Sequence, residues 1–220
     1  MLDCRPTESD AALGKRPIFT ETGMTNGEFF AVRPEDKEAL MKSAAAAHRL
    51  MLLRHAKALK SQPGERDFDR GLAPRGMTDS EKLGAFLTRH RLVPDRVVVS
   101  PAARASDTWA RAAVTCPKAP RPVLEPRLYD AKAETILDIV RAIDGANRVL
   151  IVGHNPGLHE LALLLIASGD VEIRERLQEN LPTAGLVVID FAVKSWEKLH
   201  PRSGRLELFV EPRTLDVMVQ

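Results

Sequence analysis

Three short apolar runs constrain this chain more than any other feature: "LMLL" at 50–53, "RVVVS" at 96–100 and "RVLIVG" at 148–153. None alternates apolar with polar residues, so each reads as a strand buried on both faces. Between and after them lie stretches with helical character. Residues 75–91 repeat Met77, Leu83, Phe86 and Leu87, residues 102–114 are Ala-rich around Trp109, and 133–143 and 158–167 follow. "GLVVIDF" and "RLELFV" close the chain as two further strands. Strands without alternation, separated by helices, predict an α/β chain. Its expected form is a three-layer α/β/α sandwich around a mainly parallel central sheet.

In such sheets ligands bind beyond the carboxyl ends of the strands. The three runs end in Arg54-His55, in Ser100-Pro101 followed by Arg104, and in Gly153-His154-Asn155. Taken singly, each Arg reads as a surface cation and each His as a structural residue. If the strands are neighbours, two arginines and two histidines converge on one crevice, and such a crevice suits a dianion.

Charge and composition remove other classes. The 220-residue chain carries 32 Lys and Arg against 30 Asp and Glu, a net charge of +2. No large field of either sign results, which argues against bulk binding of nucleic acid or anionic membrane. No apolar segment is long enough to span a bilayer. The two cysteines, Cys4 and Cys116, do not suggest a disulfide scaffold, and a reducing cytoplasm is expected. "HELAL" at 159–163 lacks the second His of a zinc-protease helix, and neither a Walker-type loop nor a dinucleotide glycine fingerprint is present. Trp109 and Phe86 sit at apolar helical positions and read as core. Residues 1–48 read as an N-terminal extension, extended or disordered to about 30 with a helix at 34–48, ahead of a domain over 49–220.

"LRHAKA", "SPAARASDTW" and "VGHNPGLHEL", in this order, resemble the signature blocks of the histidine phosphatase superfamily. More narrowly, together with "DRGLAPRG" at 69–76, they resemble its small SixA-like phosphohistidine phosphatase branch. The resemblance covers roughly 50–213. It implies a phosphoglycerate-mutase-like fold, here without a large lid insertion, because 128–148 has room for one helix only. It also implies a metal-independent mechanism with no cofactor, in which His55 is the nucleophile and Arg54, Arg104 and His154 bind the phosphoryl group. Permanently charged guanidinium forks suit the equatorial oxygens of a transferring phosphoryl group. The two nearby arginines are expected to keep His55 neutral, and His154, held against a bound phosphate, is expected to become a protonated donor.

Two departures from the family pattern matter. The short polar residue that assists phosphate binding has only Ser61 as a counterpart, which reads equally well as a loop serine. No acidic proton donor sits in a matching motif, although Asp130 and Glu134 lie in the region. An alkoxide leaving group needs such a donor, worth about 10²–10⁴ in rate, whereas an imidazole leaves more readily. The expected activity is therefore removal of phosphate from phosphohistidine on a protein. The alternatives are a phosphatase of small phosphomonoesters by the same mechanism, and a non-catalytic phosphate-binding module. The expected partners are a phosphorylated protein or a small phosphate ester, with phosphate or sulfate fitting the pocket. No metal, nucleic acid or membrane is expected, and the oligomeric state is not specified.

Overall fold

A computed structural model of the chain describes residues 48–214. The extension expected over 1–48, with its helix, falls outside the described residues except for His48, which opens the first strand. In chain order the elements are β1 (His48–Arg54), α1 (Pro74–Arg89), β2 (Arg96–Val99), α2 (Ala103–Val114), β3 (Val123–Leu124), α3 (Ala133–Arg141), β4 (Arg148–Gly153), α4 (Gly157–Leu165), β5 (Ile166–Gly169), α5 (Val171–Glu179), β6 (Leu186–Phe191) and β7 (Gly204–Val210).

The seven strands form one sheet in the order β3-β2-β4-β1-β6-β7-β5. Neighbours pair in parallel except at β6, which runs against both β1 and β7. The three sequence runs are thus adjacent, as β2, β4 and β1. Because successive side chains leave a strand on opposite faces, β1 supplies two cores. Leu50 and Leu52 pack beneath α3 and α4 with Ile136, Val140, Leu158 and Leu161. Met51 and Leu53 pack on the other face with Leu83, Phe86 and Leu87 of α1 and Trp109 of α2. Each of these side chains is removed from water, worth about 1.5–3 kcal/mol apiece. The result is the expected α/β/α sandwich, with Phe86 and Trp109 in its core.

Three elements differ from the sequence reading. The helix expected over 158–167 stops at Leu165, and the chain passes into the edge strand β5, paired with β7. Helix α5 was not anticipated, because it buries only Leu177 and so carries little apolar periodicity. Strand β3 is two exposed residues within a proline-rich loop, too short for any pattern to register.

Candidate active site

The sheet register decides what meets at its carboxyl edge. Arg54 pairs with Gly153 across β1 and β4, and Val99 with Val152 across β2 and β4. The backbone N–H of His55 donates to Gly153 O at 3.0 Å, and that of Ser100 to Val152 O at 2.9 Å. His55, Ser100 and His154 therefore leave the sheet at one level. Helix α2 starts three residues after Ser100, which puts Arg104 in its first turn, where the helix dipole is positive. Thr108, one turn on, locks this corner: its hydroxyl donates to Arg104 O at 2.6 Å and accepts from the N–H of Ala56 at 2.9 Å.

Arg54, His55, Arg104 and His154 line an open cleft of about 440 Å³, together with Lys57, Ala58, Asp67, Arg70, Tyr129, Asp130, Asn155 and Thr183. The structure thus brings together Arg54, His55, Arg104 and His154. It does not bring Ser61, which lies exposed in the loop after β1 and is absent from the cleft lining. The reason is local: no element pins the loop at 61 to the sheet edge. Of the two acids, Asp130 lines the cleft and Glu134 does not, its side chain lying exposed on the first turn of α3.

His55 is oriented by its own neighbours. Nδ1 lies 2.8 Å from Ala56 O, and because a carbonyl only accepts, Nδ1 carries the proton. Nε2 is left with its lone pair, which accepts from Arg104 Nε at 3.3 Å. Burial pulls the His55 pKa down to about 4, reinforced by the charges of Arg104, Arg54 and Arg70 and opposed by the Ala56 carbonyl. The imidazole is neutral, as expected, although desolvation contributes more than the arginines. His154 is neutral too; its protonation is expected only against a bound phosphate. Burial, then the charges of His55 and Arg104, lower it to about 3, with only Asp67 pulling the other way. Its Nε2 and Ser100 Oγ share a hydrogen bond of 2.8 Å. Among the described residues its Nδ1 is buried without a partner, as is Arg54 Nε. Such unused capacity is rare in a folded interior.

Several cleft residues had not been singled out in the sequence. Antiparallel β6 begins where β1 ends, Leu186 facing Leu53, so the segment leading into β6 closes one wall. Leu181 O accepts from Arg54 Nη1 at 2.8 Å and from Asn155 Nδ2 at 3.0 Å, and the N–H of Ala184 reaches the carbonyls of Arg54 and His55 at 3.1 Å each. This puts Thr183 in the lining. Tyr129, the chain's one tyrosine, stands 5.6 Å from the His154 ring and under the Arg104 guanidinium at 5.9 Å. Arg70 lies within "DRGLAPRG" at 69–76, a block that carries the resemblance, and Asp67 stands two residues before it. No comparable signal marked Thr183.

Comparison with known proteins places these features. No family model matches the chain. An uncharacterized protein of Mycobacterium tuberculosis is 33% identical over 164 residues, which is 73% of this chain and 100% of that protein. The solved structure of an Agrobacterium tumefaciens protein, provisionally named phosphohistidine phosphatase SixA, superposes with a TM-score of 0.65 at 32% identity, over 75% of this chain and 98% of the other. A second provisionally named SixA, from Nakamurella, gives 0.64 at 28% identity over 76% and 96%. With its sheet order, its Arg-His strand ends and these relatives agreeing, the chain belongs to the histidine phosphatase superfamily, in its SixA-like branch.

Proposed function

We propose that this phosphatase removes the phosphoryl group from phosphohistidine on a protein, through a phosphohistidine on its own His55. The observation that carries the reading is the state of His55: neutral, with Nδ1–H held by Ala56 O and the Nε2 lone pair at the floor of a cationic cleft. Nε2 attacks phosphorus, the P–N bond of the substrate breaks, and its electron pair returns to the departing ring, which leaves as neutral imidazole when its other nitrogen carries the proton. Arg54 and Arg104 hold the equatorial oxygens, and His154, which lines the same cleft, becomes a donor to the group once the dianion raises its proton affinity. Water then attacks the phosphorus of phosphorylated His55, breaking the new P–N bond and releasing phosphate. The open cleft favours a phosphorylated side chain displayed on another protein: among the described residues, the chain between the turn at 126–128 and β4 forms one helix, α3. A cytoplasmic setting goes with this reading.

A second reading has one observation in its favour. Asp130 lines the cleft and could protonate an alkoxide, which would extend the chemistry to small phosphomonoesters. The test is phosphate release, without added metal, from a phosphohistidine-bearing carrier protein and from a panel of alkyl phosphates, with His55→Ala beside the wild type. Preference for the carrier protein, lost in His55→Ala, is expected. Preference for an alkyl phosphate would replace the first reading by the second.

A further inference from the structure

All three nitrogens of the Arg104 guanidinium are already occupied. Nε donates to His55 Nε2 at 3.3 Å, Nη1 to the backbone carbonyl of Asp67 at 2.6 Å, and Nη2 lies 2.8 Å from the Asp67 carboxylate at Oδ2. The same Oδ2 accepts from Tyr129 OH at 3.2 Å, while Oδ1 accepts from Arg70 at Nη2, 2.6 Å, and at Nε, 3.1 Å. Arg70 in turn is held by Leu59 O at 2.9 Å. One carboxylate thus sits against two cleft arginines and a phenol, making the contacts that an oxyanion would make. Its side chain is half exposed, at 48%, against 7% for Arg104, so the carboxylate can withdraw toward solvent while the guanidinium stays.

We propose that Asp67 is a built-in counter-anion, which an incoming phosphoryl group displaces from Arg104 and which returns to help expel the product phosphate. The inference rests on the phosphoryl-binding role assigned to Arg104 above. The carbonyl of Asp67 keeps Nη1 and so fixes the plane of the guanidinium, while the carboxylate on Nη2 is the exchangeable contact. Arg70's hydrogen bonds, seconded by the charge of Arg104, hold the Asp67 carboxyl below the usual carboxylate range. A cleft lined by three arginines and a lysine, without the Asp67 carboxylate, would bind inorganic phosphate tightly and release it slowly. An internal competitor weakens substrate and product alike, and turnover gains when release is slow. Asp67 is in this sense a positioning residue, acting on the phosphoryl group through Arg104.

The test is calorimetric titration of the full-length protein with inorganic phosphate, comparing wild type with Asp67→Asn and Asp67→Ala. Both variants should bind phosphate about fivefold more tightly, the size expected for removal of a half-exposed ionic competitor. In steady state KM and kcat should fall together on any substrate that is turned over. A carboxylate that only props Arg104 would give the opposite sign. Phosphate binding unchanged or weaker in the folded variants would therefore overturn the proposal. The titration needs no substrate, so it is decided independently of whether phosphohistidine is cleaved. Failure of the wild type to bind phosphate at all would overturn both this proposal and the reading beneath it.

Discussion

At the scale of single residues, the cleft depends on a histidine kept neutral by burial. Its folded pKa of about 4 predicts that free His55 stays a competent nucleophile well below the ordinary histidine range. The acid limb of the pH profile of kcat/KM, after allowance for ionisation of the substrate, should lie near 4. A limb near 6.5 would mean that His55 is not desolvated as described. Arg104→Lys is a second test. A lysine supplies one point charge where the guanidinium divides three nitrogens between His55 and Asp67, so kcat/KM should drop by about 10²-fold or more. Recovery of most activity by lysine would show that charge alone suffices. These residues were legible in the sequence because each directly follows or ends an apolar strand, or lies in the helix turn just after one. Asp67, Tyr129 and Thr183 were not, since each reaches the cleft from a segment without periodicity.

At the scale of elements, two glycines control how closely helices approach. A Cβ on Gly84 in α1 would stand 1.9 Å from Ala112 O of α2, and one on Gly157, the first residue of α4, 2.0 Å from Ala131 O. Both alanine variants should lose stability, by about 1–3 kcal/mol from overpacking, measured by denaturant unfolding. Their effects on activity should differ. Gly84 lies in the helix layer away from the cleft, so the folded Gly84→Ala protein should keep its kcat/KM. Gly157→Ala pushes on the segment that carries Tyr129 and Asp130 into the lining, and its kcat/KM should fall. Equal activity losses would show that the position of this segment is immaterial. Neither contact was foreseeable from spacing, because both join residues from different elements.

For the whole molecule, the buried neutral histidines link folding to pH. The unfolded chain protonates His55 and His154 near 6.5, whereas the folded chain resists protonation down to about 4 and about 3. Between these limits the unfolded state binds more protons, so stability should decline as pH falls from about 6.5 toward 4. Urea unfolding across this range measures it, and the slope should lessen in His55→Gln. Among the described residues, 48–214, lie both cores and the cleft lining. A chain beginning at His48 should therefore remain folded and active, and loss of soluble protein would refute this. By itself the sequence determined the layer architecture, because apolar strands are local patterns, and it carried the motif blocks that resemble the family, whereas the meeting of Arg54, His55, Arg104 and His154 waited on the adjacency of β2, β4 and β1. Only the tertiary structure decided that β6 runs antiparallel, so that the lead-in to its first residue, carrying Thr183, joins the carboxyl ends of its neighbours. It also decided that Asp67 already holds Arg104 and that His154 is neutral, because burial and opposing charge come from the surrounding fold.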